Sequence, residues 1–577
     1  MLKHTLLLLS STLILACSQT PTESSNSEPQ ALSTSEPHLS ATPSKAAVAS
    51  AHPLSTQAGM DILAQGGNAF DAAIAVAASL GVVEPYSAGI GGGGFWLIYE
   101  AQKDQYTFID AREKAPAAAH RNYYLDDNGS VNRDKAVNGP TAAGIPGQAA
   151  AFVHLAENYG KLPLSDSLKA SIQQAQDGFP VYEHYQKLMG FRLKNVRRYP
   201  DSREILLDNG EIPEVGYVIK QPDLAKTLQA LSDRGFDGFY KGEVAKKLVN
   251  AVQQDGGDWT LDDLANYNVV EREPIRIQLG EYDIVSAPPP SSGGIAIAQM
   301  LKMLAQETVP DWKTLDKVQQ THLLAEVMRR AYKDRAEYLG DPDYVNVPVT
   351  ELLSDQRAAN WAASIDMQQA TPSLSLNGVK NLQEGFHTTH LSVIDQQGNM
   401  VSATLSINLP FGSAYTAPGT GILLNNEMDD FSAKPGEPNA YGLVGNEANA
   451  IAPGKRPLSS MSPSIVNTDN STAIIGTPGG SRIITMVFLG MLEHLQGKPV
   501  EDWVSRPRFH HQYLPDVIQH EPDTFTESEQ AALLQRGHQL KPVGRQYGNM
   551  QAILWDKTSG EVTAASDPRG LGESQVR

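Results

Sequence analysis

Two adjacent threonines, Thr388 and Thr389, stand between two histidines, His387 and His390, in the stretch EGFHTTHLSV. A threonine hydroxyl becomes a useful nucleophile when a base lies beside it, and the simplest such arrangement is a threonine at a free chain terminus, whose own α-amine takes the proton. The ordinary pKa of that amine, about 7.7 to 8.0, suits a general base near neutral pH. Because Thr388 lies deep inside the chain, this chemistry requires cleavage after His387, with the Thr388 hydroxyl attacking the preceding carbonyl.

The same stretch does not fit the metal or serine chemistry that its histidines suggest. His387 and His390 lack the His-Glu-x-x-His pattern of zinc hydrolases, and the only cysteine of the chain, Cys17, is far away in sequence. The Gly-x-Ser-x-Gly elbow of many serine hydrolases is absent from the sequence. We therefore expect neither a metal nor an organic cofactor. On propensity alone, the two threonines would be β-branched residues that open a strand.

The elements around these hydroxyls can be predicted from the flanking patterns. Alternating apolar residues on both sides of Gly398 predict two strands after Thr388, and short strands with glycine turns continue beyond them. In the N-terminal half, we expect a helix capped at Ser55, then a buried helix from about Phe70 to Leu80. Residues 150–338 have mainly helical periodicity.

A run of four glycines, 91–94, leads into a predicted strand, Phe95 to Tyr99. A phosphate-binding loop would run from a strand through glycines into a helix, and a Walker loop would end in Gly-Lys-Ser or Gly-Lys-Thr. Neither order is present. Close packing of backbone against backbone is the better explanation of these glycines.

Composition limits the classes of partner. The chain has 577 residues, 41% hydrophobic and 19% charged, and a formal net charge of -19. That length is ample for a large core and for several domains. The negative charge disfavours nucleic acid and anionic membrane surfaces, which would be repelled at long range.

The N-terminus has the features of an exported protein. Residues 1–17 join one lysine to a short apolar run, which predicts a secretory signal peptide. Its end, Ile-Leu-Ala-Cys, resembles the lipobox of bacterial lipoproteins, so we expect Cys17 to carry lipid and the protein to be anchored in the periplasm. A plain signal cleavage is the alternative. Residues 18–46 are rich in Ser, Thr, Pro and Glu and predict a disordered tether.

Eight motifs, in order along the chain, resemble those of the γ-glutamyltransferases, also called γ-glutamyltranspeptidases or glutathione hydrolases, of the N-terminal-nucleophile hydrolase superfamily. The resemblance covers almost everything from Ala47 to Arg569. The motifs are GGNAFDAAIA, EPYSAGIGGGGF, DAREKAP, HLLAEVMRRAYKDRAEYLGDP, TTHLSV, GILLNNEMDDFS, PGKRPLSSMSPS and GTPGGSRI.

This resemblance implies an α+β fold, a four-layer α/β/β/α sandwich formed jointly by two subunits. The family cuts itself before the first threonine of its Thr-Thr-His motif, which is Thr388 here. The implied large subunit is 47–387 and the implied small catalytic subunit is 388–577, and the two would remain together as a heterodimer.

The resemblance also assigns substrate-binding residues. A γ-glutamyl group carries an α-carboxylate and an α-ammonium, so its pocket needs a fixed cation, fixed carboxylates and hydroxyl donors. The residues that match are Arg112, Ser459 and Ser460 for the α-carboxylate and Glu427, Asp430 and Asn408 for the α-ammonium.

Four further positions match catalytic or covering features of the family. Gly479 and Gly480 match the backbone N–H pair of the oxyanion hole. Ser406 falls where many members carry a threonine that steadies the nucleophile, so the hydroxyl is kept and the β-branched shape is lost. Tyr441, within 433–454, matches the aromatic gate of a lid loop.

The implied function is a self-processing γ-glutamyltransferase or glutathione hydrolase, in which Thr388 forms a γ-glutamyl-enzyme and passes the acyl group to water, an amino acid or a peptide. One alternative is a cephalosporin or glutaryl acylase built on the same scaffold. That alternative is disfavoured because such substrates lack the ammonium that Glu427 and Asp430 would bind. An alternative of another class is a catalytically inert binding lipoprotein of the cell envelope.

Overall fold

Two β-sheets packed between two layers of helices form the part of the chain that the computed structural model describes, residues 41–376, 388–434, 436–437, 439–440, 445 and 447–577. The strands are β1 Ala47–Ser50, β2 Gly93–Glu100, β3 Gln105–Ala111, β4 Phe179–Pro180, β5 Val218–Ile219, β6 Val270–Arg272, β7 Ile275–Leu279, β8 Tyr282–Ser286, β9 Thr389–Ile394, β10 Met400–Ser406, β11 Thr416–Ala417, β12 Ile422–Leu423, β13 Ser464–Asn467, β14 Ser471–Gly476, β15 Phe509–His510, β16 Ile518–His520, β17 Leu540–Pro542, β18 Gln551–Asp556, β19 Val562–Ser566 and β20 Glu573–Val576.

The helices fall mainly between β3 and β9, as the periodicity of that region predicts. They are α1 Pro53–Ala64, α2 Ala69–Val83, α3 Arg133–Val137, α4 Gln148–Asn158, α5 Leu164–Asp177, α6 Glu183–Val196, α7 Pro200–Leu206, α8 Pro222–Arg234, α9 Phe236–Tyr240, α10 Gly242–Gln254, α11 Leu261–Ala265, α12 Gly293–Leu304, α13 Lys317–Tyr338, α14 Val349–Leu352, α15 Asp355–Ala363, α16 Ile483–His494, α17 Val500–Ser505 and α18 Glu527–Gln535. Among the described residues, no helix combines the length and the hydrophobicity that crossing a bilayer needs.

The two large sheets are antiparallel throughout. The first has the strand order β20-β1-β9-β10-β2-β3-β6, and the second has the order β19-β18-β14-β13-β8-β7. Helices α2 and α4 pack on the outer face of the first sheet, and α12 and α16 pack on the outer face of the second. This arrangement is the predicted four-layer α/β/β/α sandwich.

The alternation of side chains along β2 explains why both faces of the first sheet are buried. Phe95 and Leu97 point into the core shared with the second sheet, whereas Trp96 and Ile98 point into the core beneath the first helical layer. Successive side chains of a strand point to opposite faces, so a strand between two cores can bury apolar side chains on both.

The glycine run lets backbone pack closely against backbone, as the sequence predicts. A Cβ atom at Gly91 would lie 2.1 Å from the Leu423 carbonyl oxygen, and one at Gly92 would lie 2.1 Å from the Ser406 carbonyl oxygen. At Gly94 the nearest atom would be the carbonyl oxygen of Thr404, at 2.6 Å. These positions therefore exclude any side chain.

The predicted start of α1 is wrong, because His52 and not Ser55 is the N-cap. The His52 Nδ1 atom accepts a hydrogen bond from the Leu54 amide at 3.2 Å, and Pro53 occupies the first helical position, which proline favours. Ser55 lies inside the first turn, where its buried hydroxyl contacts that of Ser79 at 2.9 Å.

The second helix, α2, starts close to its predicted position and continues to Val83. Asn68 and Asp71 form a reciprocal capping box at its N-terminus. Its C-cap is Glu84. The chain also pairs with the C-terminal segment earlier than the predicted tether boundary at residue 46, because the Ala41 amide donates to the Lys557 carbonyl oxygen at 2.8 Å.

Candidate active site

Thr388 lies immediately before β9, with 6% of its surface exposed, at the junction of two cavities. Thr389 of β9 pairs with Leu405 of β10. The residues next to this pair, Thr388 and Ser406, therefore lie side by side at the same edge of the two strands. One cavity has a volume of about 350 Å³ and the other only about 20 Å³. The candidate nucleophile therefore faces both a wide space and a narrow polar one.

The narrow cavity contains a buried cluster of opposite charges. Arg112 is 1% exposed, and its guanidinium lies 3.0 Å from Glu427 Oε1 and 2.5 Å from Asp430 Oδ2. Glu113, next in sequence, lies 3.7 Å from the same guanidinium. These residues come from the end of β3 and from the 3₁₀ turn Glu427–Asp430, two segments on opposite sides of the predicted cleavage point.

Burial dominates the ionisation of this cluster. It raises the pKa of Glu427 well above the ordinary value and also raises that of Asp430, although Arg112 opposes both changes. Burial raises the pKa of Glu113 to about 8, again against Arg112. For Arg112, burial would lower the pKa, but the charges of Glu427 and Asp430 overcome it and raise the value. A zwitterion suits this cluster, because its carboxylate can pair with Arg112 and its ammonium with the acids without leaving a charge unpaired.

Ser459 and Ser460 line the same cavity and bring with them an arginine that was not predicted from the sequence. The Ser460 Oγ atom accepts a hydrogen bond from Arg335 Nη2 at 3.3 Å, and Arg335 Nε donates to Ser292 Oγ at 3.0 Å. Burial lowers the pKa of Arg335 to about 10. The sequence did contain a sign of this role, because Arg335 follows Ala331 and Met328 at helical spacing and so lies on the buried face of α13. The apolar face of a helix rarely carries arginine.

Ser406 and Asn408 continue the wall beside Thr388. The Ser406 Oγ atom accepts the Asn408 amide hydrogen at 2.7 Å, and Asn408 Nδ2 donates to the Asn426 carbonyl oxygen at 2.8 Å. Asn408 has a φ of 73°, which asparagine tolerates better than most residues. These contacts fix the loop after β10 against the segment that carries Glu427.

Gly479 and Gly480 stand at the beginning of a helical segment, as a 3₁₀ turn, Gly480–Arg482, leads directly into α16. Each lines one of the two cavities together with Thr388. Within the described part of the chain, neither amide N–H donates a hydrogen bond. Amide donors at a helix N-terminus favour negative charge, so this pair suits a developing oxyanion.

The wider cavity was not predicted from the sequence. Its wall combines the end of α2, the start of α6 and the loop before β18, with Glu84, Tyr86, His184, Lys187, Arg545 and Asn549 among its lining residues. Glu84 is 4% exposed, and its carboxyl group contacts the hydroxyl of Thr389 at 3.0 Å.

Among the residues that the structure describes, one cluster brings metal-ligating atoms together, namely His322, Glu326 and His538. Burial would raise the pKa of Glu326, but Arg329 and Arg330 lower it to about 2. The Glu326 charge is therefore already balanced by two arginines, and the two histidine rings contact each other at 2.7 Å. These contacts explain the cluster as a buried polar network of the α13 layer.

Three predicted positions, Cys17, His387 and Tyr441, lie outside the described residues. In the described part of the predicted lid, 433–454, Asn439 Nδ2 donates to Asp430 Oδ1 at 3.2 Å. The lid stays a prediction.

Comparison with known proteins identifies relatives over nearly the whole chain. The sequence profile of the family described as Gamma-glutamyltranspeptidase matches residues 55–576. The glutathione hydrolase proenzyme of Escherichia coli (strain K12) is 41% identical over 536 residues, which cover 91% of this chain and 90% of that one.

Two solved structures have a similar fold. A cephalosporin acylase from Bacillus halodurans is 28% identical, with a TM-score of 0.80, and the match covers 95% of this chain and 98% of that one. The γ-glutamyltranspeptidase of Helicobacter pylori is 34% identical, with a TM-score of 0.55, over 57% of this chain and 93% of that one. The acylase is thus similar mainly in fold, whereas the relatives of higher sequence identity are named glutathione hydrolase or γ-glutamyltranspeptidase.

Proposed function

The chain belongs to the γ-glutamyltranspeptidase family, and we propose that it is a self-processing γ-glutamyltransferase and glutathione hydrolase whose nucleophile is Thr388. Its donors are glutathione and other γ-glutamyl compounds, and its acceptors are water, amino acids and short peptides. The observation that carries the proposal is that Thr388 shares the narrow cavity with the buried Arg112–Glu427–Asp430 cluster and with Gly480, while Gly479 lines the wider cavity with it.

Self-cleavage comes first in this scheme. The Thr388 hydroxyl attacks the carbonyl carbon of His387, the bond from that carbon to the Thr388 nitrogen breaks, and the nitrogen gains a proton. Water then hydrolyses the resulting ester, which leaves a carboxylate on His387 and frees both the hydroxyl and the amine of Thr388. The products are a large chain that contains 47–387 and a small chain, 388–577, which remain a heterodimer.

Turnover then uses the amine as general base. The amine takes the hydroxyl proton as the Thr388 oxygen attacks the γ-carbonyl, while the N–H groups of Gly479 and Gly480 receive the negative charge on the carbonyl oxygen. The ammonium protonates the departing amine, and a γ-glutamyl ester remains. Water or an acceptor amine attacks this ester by the same steps in reverse.

Substrate selection rests on charge matching in the narrow cavity. The α-carboxylate of the donor would bind Arg112, with the hydroxyls of Ser459 and Ser460 as further donors. The α-ammonium would bind Asp430 and Glu427, and Asn408 would add a polar contact. A glutaryl substrate, as in the acylase alternative, would leave these acids without a counter-ion, which is costly in a buried site.

Replacement of Thr388 by alanine tests the proposal. We expect T388A to remain one chain and to release no p-nitroaniline from γ-glutamyl-p-nitroanilide, because both steps use the same oxygen. T388S is the matched control and should still cleave itself, because it keeps the hydroxyl. A T388A protein that is cleaved and active would contradict the assignment. An uncleaved, inactive wild type would favour the inert binding lipoprotein.

The location in the cell is a separate proposal. The lipobox-like end of 1–17 supports export to the periplasm and a lipid anchor on Cys17. Metabolic labelling with palmitate should mark the wild type and spare C17S. An unlabelled wild type would indicate a soluble exported protein instead.

A further inference from the structure

Glu84 is a buried carboxyl group that the proposed reaction does not use, although it lies beside the nucleophile. It ends α2, and its Oε2 atom accepts a hydrogen bond from Thr389 Oγ1 at 3.0 Å. Thr389 follows Thr388 directly, and Glu84 and Thr388 line the same cavity. The side chain of Glu84 is therefore connected to the first strand residue after the nucleophile.

The other oxygen of Glu84 starts a series of three O···O contacts. Glu84 Oε1 lies 2.7 Å from the Tyr86 hydroxyl, which lies 2.8 Å from the Tyr182 hydroxyl. The Tyr182 hydroxyl lies 2.8 Å from the Val83 carbonyl oxygen. Each of these distances is that of an O–H···O hydrogen bond.

The number of hydrogens available for these three contacts assigns a proton to Glu84. Three hydrogen bonds require three protons, the two tyrosines supply one each, and the Val83 carbonyl supplies none. With a proton on Glu84 Oε1, the carboxyl donates to Tyr86, Tyr86 donates to Tyr182, and Tyr182 donates to Val83. With a carboxylate, one of the three short contacts would hold two oxygens and no hydrogen.

The surroundings of Glu84 agree with this assignment. Burial raises the pKa of Glu84 to about 7, although its side-chain contacts with Tyr86 and Thr389 act in the opposite direction. Burial lowers the pKa of both His52 and His184 to about 4, so both are neutral near pH 7. Among the described residues, the titratable and charged groups that face this region from the packed elements are Tyr86, Tyr182, Tyr185, His52, His184, Lys187, Arg545, Tyr547 and Arg569.

We propose that Glu84 is a positioning residue for the nucleophile, protonated in the uncut chain and converted, after cleavage, into the counter-ion of the Thr388 α-ammonium. This inference rests on the proposed function, since it requires the free amine. A proton leaves Glu84 and a proton arrives on the Thr388 nitrogen, so the pair becomes carboxylate and ammonium without a net change of charge. The carboxylate then holds the amine in place and raises its pKa.

The amide variant E84Q separates charge from shape. Its amide nitrogen donates to Tyr86 where the acid donates, and its amide oxygen accepts from Thr389, so every hydrogen bond of the neutral acid is reproduced. We expect E84Q to cleave itself. Without the carboxylate, the pKa of the Thr388 amine falls, and the free base persists at lower pH.

The readout is the pH profile of kcat/KM with γ-glutamyl-p-nitroanilide. Because two opposite charges that line one cavity couple appreciably even at an effective dielectric constant of ~20, the acid limb of E84Q should move to lower pH by about half a unit or more. That shift corresponds to roughly threefold higher relative activity on the acid side. The matched control is S87A, which alters the same cavity, keeps the hydrogen bond from the residue 87 amide to the Glu84 carbonyl oxygen and should keep the wild-type limb.

If the acid limb of E84Q superimposes on that of the wild type, this inference is overturned and the proposed function is left intact. An uncut and inactive wild type would instead overturn the proposed function. If E84Q fails to fold, T389V provides a second test, because valine keeps the branched shape and removes the hydrogen bond that favours the Glu84 carboxylate. Its limb should move in the same direction by a smaller amount. A limb that does not move, or moves to higher pH, would contradict the proposal.

Discussion

Asp430 is the residue whose replacement most directly separates a γ-glutamyl pocket from a glutaryl pocket. It pairs with Arg112 in the buried cluster and is the acid expected to receive the α-ammonium of the donor. A hydrogen bond to a charged group contributes about 1.5 to 3 kcal/mol. We therefore expect D430N to lower kcat/KM for γ-glutamyl-p-nitroanilide by roughly 10- to 150-fold, and to affect glutaryl-p-nitroanilide much less.

The adjacent acid supplies the control for this change. Asp429 is also buried, but its carboxylate contacts Arg133 and the Ala440 amide, at 3.0 and 2.8 Å. D429N should therefore leave the preference between the two donors unchanged. An equal loss of both activities in D430N would mean that Asp430 maintains the pocket without contacting the ammonium.

At the scale of elements, the glycine run is what allows the chain at the start of β2 to approach the end of β10. Gly92 is the critical position, because a methyl group there would meet the carbonyl oxygen of Ser406, the neighbour of Thr388. Overpacking of this kind costs about 1 to 3 kcal/mol. We expect G92A to lower both the melting temperature and kcat, as followed by circular dichroism and by release of p-nitroaniline.

Gly190 provides a matched control inside α6. A Cβ atom at Gly190 would meet no heavy atom within 4 Å. Alanine in a helix interior is more favourable than glycine by about 0.5 to 1 kcal/mol, so G190A should be slightly more stable and fully active. A G92A enzyme with the melting temperature and kcat of the wild type would refute the close-packing role.

What the sequence predicts and what it misses differ in the range of the contacts involved. The glycine run, the two strands after Thr388 and the buried second helix follow from local patterns and are confirmed, and the sandwich implied by the family resemblance is confirmed as well. The Glu84–Thr389 hydrogen bond joins residues 305 positions apart, and Arg335 reaches Ser460 from a distant helix. Such contacts depend on tertiary packing, which no local pattern encodes. The His52 cap was missed because Ser55 has the more favourable residue type for an N-cap.

At the scale of the whole molecule, the two predicted subunits share both large sheets. In the first sheet, β1 from the large subunit lies between β9 and β20 from the small one, and β2 pairs with β10. In the second sheet, β8 of the large subunit pairs with β13 of the small one. Separation of the chains would therefore break several ladders and expose both cores.

This shared architecture predicts that cleavage leaves the molecule intact. The processed protein should elute as one species in native size-exclusion chromatography, at the position of the uncut T388A variant. Its two chains should separate only in denaturant. Two separate native peaks would contradict the idea that the sheets hold the subunits together.

The most direct test of the central claim is the intact mass of the purified wild-type protein under denaturing conditions. If Thr388 becomes a terminal nucleophile, the spectrum should contain two chains, and the smaller should begin at Thr388. A chain uncut before Thr388, or an internal break at another peptide bond within 47–577, would contradict the account.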